Sequence, residues 1–479
     1  MVGTAVVAAA GCGGNGAAAP PTMSFHSRPD LAPPVMTVSR DTPAAAPGYL
    51  FIAPKQHAFE KGPEIVDDSG QPVWFDPVPG QATDFRVQTY RGKPVLTWWE
   101  GPPTAPVPGS GVGHGVIMNT AYRQIATVNS GFGADTADLH EFQLNPQGDA
   151  LLTVYRVEPA DLSSVGGPAH GKVVDGIVQE VDVATGRVLF TWDSVGHVAL
   201  SESYSPAPPK SGKGSQVPYD YFHINSIQEQ ADGDLLVSAR NTHAVYEIDP
   251  TTGAILWRLG GKKSSFRMGP GTSFAWQHDA RMQANGTITI FDDEASPAEA
   301  KQSRAIRIRL DLATHTATLA QSDSDGTLAI SQGNVQVLDN GDLLVGWGSV
   351  PRITEFSPSG AVVFDATFSK GDDSYRAFRF TWTGAPVTKP SIAVARGGGS
   401  TATVWASWNG ATQVVAWRVL TGLNGDRLSV LDGPVPRKGF ETTIAAHTDA
   451  PYIAVQALDA RGRILGTSAA VPRGGDAIG

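Results

Sequence analysis

The stretch YDYFHINSIQEQADGDLLVSARNTHAVYEIDPTTGAILWRLGGKKSSF (residues 219–266), followed after a short loop by FAWQHDARMQANGTITIFDDEA (residues 274–295), decides how this chain is read. The apolar run Leu235–Ala239 and the alternation over Thr287–Phe291 predict strands, while Asp-Gly at 232–233 and Asn-Gly at 285–286 predict hairpin turns. His223 and His278 therefore fall just upstream of strands, and Arg240 directly follows one. Loop mouths held by a rigid sheet are where a β-protein keeps its reactive side chains.

Working outward, a unit built on a turn glycine followed by an apolar strand recurs along the chain. It runs from Asp84 to Trp99 around Gly92, His140 to Tyr155 around Gly148, Asn225 to Ala239 around Gly233, His278 to Asp292 around Gly286, and Gly333 to Trp347 around Gly341. Each unit continues into a second hairpin, as in residues 176–193 and 244–261, so it has the four strands of a propeller blade. Strands left over at Tyr49–Phe75 and Ser374–Thr383 can pair to complete a sixth blade and leave no open edge. The expected fold is all-β: a six-bladed β-propeller over residues 48–384 closed by strands from both ends, with a seven- or eight-bladed ring as the alternative. In such a ring the inner strands start beside the central channel. Asp84, His140, Asn225, His278 and Gly333, each eight residues before its turn glycine, are then expected around one axial opening, with His223 two residues upstream of that register.

Beyond Gly384 the pattern passes through a Pro-rich linker into residues 390–474, where period-two strands separated by Gly, Asn and Asp turns predict a small β-sandwich. Trp405, Trp408 and Trp417 are its core candidates, and it resembles a fibronectin type III domain with Tyr452 in the place of the corner tyrosine. Nothing in it looks catalytic.

Charged residues make up only 17% of the 479 positions, against 54 Gly and 35 Pro, a balance that suits a secreted all-β protein. A net charge of −10 supplies no basic footprint, so nucleic acid is excluded as an expected partner. The single cysteine, Cys12, follows a small apolar run in Ala9-Ala10-Gly11-Cys12, which resembles a bacterial lipobox. Residues 1–12 then read as a truncated lipoprotein signal segment, 13–47 as a flexible tether, and the protein as extracytoplasmic, held at the membrane only by a lipid on Cys12.

Four blocks, DYFHINSI (220–227), LLVSARN (235–241), LWRLGGK (256–262) and WQHDAR (276–281), resemble the signature blocks of the bacterial arylsulfotransferase family. The resemblance covers about residues 45 to 385 and implies a six-bladed propeller that moves a sulfuryl group from a phenolic sulfate ester to another phenol, with no nucleotide donor and no cofactor. It implies that His278 is the transiently sulfated nucleophile, that His223 and Arg240 are its partners at the sulfate, and that His140 is a further histidine near the channel. The residue types suit that chemistry. Neutral imidazole is a good nucleophile near neutral pH, and guanidinium is a permanent multi-donor cation for an oxyanion. An acceptor phenol needs a base, and either His140 or His223 could serve.

Plainer readings stand beside these. Asn225 could bond backbone or touch substrate; Trp276, with Trp257 and Phe274, reads as packing, although an aromatic near the channel could also stack on a phenol. Asp292-Asp293-Glu294 lacks the spacing of a calcium loop and reads as a solvated acidic turn, and Lys262-Lys263 as a solvated turn. His140, His223 and His278 could instead form a zinc site of a hydrolase, although no metal is expected, and a non-enzymatic propeller binding an anionic glycan or an envelope protein is the competing reading.

Overall fold

A computed structural model describes residues 21–478 apart from 57, 103, 104 and 106. Cys12, the expected lipidation site, lies outside the described residues. The chain is all-β, with three short 3-10 turns among the described residues. Between residues 49 and 380 the strands form six successive sheets, each built on four antiparallel strands, with a fifth strand added on the outer edge of the fourth (Arg267–Met268, in parallel) and of the fifth. The first runs from Gln81–Tyr90 to Gln124–Val128, the second from Phe142–Leu144 to Val188–Asp193, and the third from Ile224–Glu229 to Ile255–Gly260. The fourth starts at His278–Met282 and the fifth at Asn334–Val337. A sixth joins Phe378–Phe380 to Tyr49–Ile52, Glu64–Val66 and Pro72–Phe75, with Phe51 opposite Phe378. The strands left over at the two ends do pair.

These strands read as apolar runs because both faces of each sheet are covered. Leu235 and Val237 enter the core shared with the second sheet, while Leu236 points the other way into the core shared with the fourth. Likewise Leu50 and Ile52 face the fifth sheet and Phe51 faces the first. Each fully buried side chain of this kind stabilises the fold by about 1.5–3 kcal/mol. The tight turns between first and second strands need positive φ, and Gly92, Gly148, Gly233, Gly286 and Gly341 supply it at 73°, 90°, 95°, 74° and 89°.

Side-chain amides stitch neighbouring sheets where the backbones cannot reach. Gln228 accepts from Met282 N and donates to Met282 O, and Gln336 does the same with Arg379. Gln88 bridges from the first sheet to Phe142 O and Leu144 N of the second. From the sixth sheet, Arg376 returns to the first through an ion pair of 2.7 Å with Asp84.

Two departures from expectation concern the ends. Residues 21–47, expected as tether, carry strand Thr37–Asp41 on the outer edge of the fifth sheet. Upstream of it, Phe25 packs on Phe440 and the Ser27 hydroxyl donates to Glu441 Oε2 at 2.6 Å. Scattered Pro and Ala hid this segment because its partners lie more than 300 residues away. The C-terminal region forms two sheets over a shared core that includes Ile392, Val404, Trp417 and Val455. It docks on the sixth sheet: Asn409 accepts from Phe75 N and donates to Phe75 O, and Gly410 N donates to Val73 O. No helix among the described residues is long and apolar enough to cross a membrane.

Candidate active site

His140, His223, Arg240 and His278, drawn from the entrances of three sheets, line one cavity of about 610 Å³. The local backbone aims them there. His223 has φ 57°, and the pairing of His278–Met282 is broken by a bulge at Asp279, φ 53°. Such bulges and left-handed residues re-aim side chains at the mouth of a sheet. The His140 and His223 rings meet edge-on at 5.0 Å, and Tyr375 lies 5.5 Å from His140 and 6.4 Å from His278.

Each histidine has a carboxylate on Nδ1. Asp138 Oδ1 lies 2.5 Å from His140, Asp220 Oδ2 2.5 Å from His223, and Asp293 Oδ2 2.8 Å from His278. Asp293 is fully buried, as is Asp292, so the expected solvated acidic turn is instead part of the site. The signal was in the register: His278 pairs across the hairpin with Phe291, which puts Asp293 two residues beyond it. Burial holds His278 well below the ordinary imidazole value, with Arg240 and the other histidines adding to the shift, and burial lowers His140 as well. Gln332 N–H donates to His278 Nε2 at 3.3 Å, so Nδ1 carries the proton and donates it to Asp293. His278 is therefore a neutral imidazole whose Nε2 is the acceptor nitrogen at the cavity wall, taken in this structure by Gln332 N–H.

Arg240 forms no ion pair among the described residues. Its guanidinium lies 4.7 Å over the Trp276 ring and donates to Asn241 Oδ1 at 3.0 Å. Trp276 in turn meets His243 edge-on, His243 stacks on Tyr204 at 4.0 Å, and Lys262 caps Tyr204. This stack holds Arg240 at the cavity, and Lys262, expected in a solvated turn, anchors it by donating to Ser201 O and Ser203 O. A partly buried guanidinium without a carboxylate is a receptor for an anion. A second cation, Lys55, lines the cavity paired to Asp373 at 3.1 Å. Lys55, Gln332 and Tyr375 were missed because they come from isolated loop positions with no motif around them.

Asn225 does not reach the cavity. It is fully buried, its side-chain amide donates to Gln277 O at 2.7 Å, and its backbone carbonyl accepts from Arg376 at 2.9 Å. Trp257 and Phe274 lie in the core between the third and fourth sheets. Arg86, Arg281 and Arg376 interlock with Asp84, Glu141 and Asp279 in a largely buried network of balanced charge. Among the described residues no group of three or more His, Cys, Asp or Glu is arranged to hold a metal ion.

Gly109 completes the wall opposite His223. It has φ 81°, and a β-carbon there would lie 3.3 Å from His223 Cε1. Gly109→Val is expected to displace the imidazole and lower kcat/KM about ten- to hundredfold, and, because a β-branched side chain is strained at this positive φ, to lower the unfolding midpoint as well. Steady-state kinetics beside a thermal melt checks this.

No curated protein matches the chain. Solved structures resemble it distantly. A protein of unknown function from Bacteroides caccae is 15% identical with a TM-score of 0.41 over 69% of this chain and 98% of that one. A periplasmic gluconolactonase from Pseudomonas aeruginosa is 14% identical with a TM-score of 0.35 over 90% and 97%. Virginiamycin B lyase from Staphylococcus aureus is 9% identical with a TM-score of 0.33 over 80% and 94%. Likeness at this level carries no argument about the chain. The family match does: residues 86–369, more than half of the sequence, fit the arylsulfotransferase (ASST) family, and the protein belongs to it.

Proposed function

We propose that the protein moves a sulfuryl group from a phenolic sulfate ester to an acceptor phenol in two in-line steps through a sulfated His278, without a nucleotide donor. Family membership supports an aryl sulfotransferase in general. The observation that carries the finer reading is the Arg240 guanidinium, in no ion pair among the described residues, sharing a cavity with the neutral imidazole of His278 that Asp293 orients. We take the sheets to form a closed six-bladed propeller around this cavity, the C-terminal module to be fibronectin type III-like, and Cys12 to be the site of a lipid anchor.

In the first step His278 Nε2 forms a bond to sulfur as the bond from sulfur to the aryl oxygen breaks, and the phenolate leaves. Charge spreads over three sulfuryl oxygens in a loose transition state, by analogy with phosphoryl transfer. Arg240 and His223 hold those oxygens, and Gln332 N–H, already 3.3 Å from Nε2, donates to one of them. In the second step an acceptor phenol loses its proton to His223 or His140 and attacks sulfur as the S–N bond breaks. The proton released by the acceptor balances the one taken up by the departing phenolate.

The test is covalent. Enzyme quenched in acid-free conditions during turnover of phenyl sulfate should yield a His278 peptide heavier by one SO3, with ping-pong kinetics for donor and acceptor. Turnover without that adduct on His278 overturns the proposal.

The pH dependence follows from the same burial. The reactive form is neutral imidazole, which exists above the group's pKa; since burial holds His278 well below 6.5, the rate of its sulfation should stay level as pH falls through 6.5 and decline only at lower pH. Burst kinetics across pH 4–8 (roughly that window) measures it, and a half-maximal point at or above the ordinary imidazole value contradicts the assignment.

A further inference from the structure

A second cavity of about 560 Å³ adjoins the first and shares Val107, Pro108, His223 and Arg240 with it. Its far walls are apolar and come largely from one connection, residues 194–223, between the second and third sheets. Pro206, Pro209 and Val217 of that connection face Trp276 across the space. Connections in compact sheets usually run about 2–6 residues, so one this long signals a function of its own. It is not loose at its base. Tyr204 N donates to Asn241 O at 2.7 Å, and Lys262 holds the carbonyls of Ser201 and Ser203.

Of the charged groups on the cavity wall, Arg240 stands with His223 at the end shared with the first cavity, and Asp220 is bonded to His223 Nδ1. An aryl sulfate has the same polarity: an anionic head on an apolar ring. The Trp276 indole N–H is buried without a hydrogen-bond partner among the described residues, which leaves one donor for a polar ring substituent. We infer that this proline-walled chamber is the aryl subsite, shaped for uncharged aromatics larger than a single ring, with the long connection as the specificity-determining element. The inference rests on the sulfuryl-transfer reading for what occupies the neighbouring cavity. A pocket this size, apolar with few convergent polar groups, suits an aromatic of one to three rings.

Val217 is 55% exposed at the mouth and takes no part in the proposed chemistry, so it can be changed without endangering the fold. With 2-naphthyl sulfate as donor, Val217→Asp should raise KM about tenfold at unchanged kcat, and Val217→Leu should stay within about twofold of the parent. Calorimetric titration with 2-naphthol, which carries no sulfuryl group, should show affinity falling by the same factor in Val217→Asp. If the protein binds 2-naphthol and Val217→Asp weakens it while no sulfuryl transfer occurs, the aryl subsite stands and the transfer reading falls. If transfer proceeds with KM and 2-naphthol affinity unmoved by Val217→Asp, or if the parent does not bind 2-naphthol, the aryl subsite is wrong.

Discussion

His278→Ala is expected to abolish sulfuryl transfer and the covalent adduct together, and Asp293→Asn to lower kcat by about 10²–10⁴-fold with the protein still folded. The alanine variant removes the nitrogen proposed to attack sulfur. The asparagine variant is subtler, because its amide can donate to Nδ1 and so draw the ring proton to Nε2. The neutral imidazole would then present N–H to the cavity, where the reaction needs a lone pair. Gln332 N–H at 3.3 Å would face that proton and oppose it. Stopped-flow release of the first phenol separates the two variants, since Asp293→Asn should keep a slow burst and His278→Ala should show none. Equal, full activity in Asp293→Asn would mean that the carboxylate does not set the tautomer.

Arg376→Met is expected to destabilise the chain by about 3–5 kcal/mol, the range for breaking a buried ion pair by removing one partner. Arg376 is 1% exposed and its guanidinium pairs with Asp84 at 2.7 Å, Glu141 at 3.3 Å and Asp279 at 3.4 Å. Without it, three buried carboxylates face only Arg86 and Arg281. A denaturant unfolding midpoint reports the loss, and pairing the change with Glu141→Leu should recover part of it, because the excess negative charge is removed. The same network makes stability depend on acid. Burial pushes Glu141 up, but Arg281, Arg376 and Arg86 outweigh it and leave the carboxyl below its ordinary value of 4.5. A carboxyl depressed in the folded state contributes stability that is complete above its unfolded pKa and is lost as pH falls from there toward the folded value. In Arg376→Met the midpoint should therefore fall less steeply below pH ~4.5 than in the parent.

The turn glycines and the apolar runs behind them were legible because each depends on its own few residues: φ near 70–95° at Gly92, Gly148, Gly233, Gly286 and Gly341, and strands whose two faces are both covered. The same locality explains why His140, His223 and His278 could be placed at sheet entrances, and why the four sequence blocks pointed to the family. Two readings failed and one was left open. Residues 21–47 looked like tether because their strand partner is Val362–Thr367. Asn225 was left between backbone and substrate because Gln277, whose carbonyl its side-chain amide takes, is 52 residues away. Asp292-Asp293 looked solvated because a run of carboxylates is costly to bury unless something supplies a countercharge or a donor. Arg304 and His278 do.

By itself, then, the sequence determined the all-β class, the repeat and its register, the pairing of strands from the two ends and the position of the histidines at sheet entrances, all set by local backbone preference and period-two burial. Only the tertiary structure decided which carboxylate lies on each histidine, that Arg240 makes no ion pair among the described residues, and that Arg376 joins Asp84, Glu141 and Asp279. Those are properties of charges in a shared low-dielectric space, and the strength of such interactions depends on distance and burial, which residue order does not record.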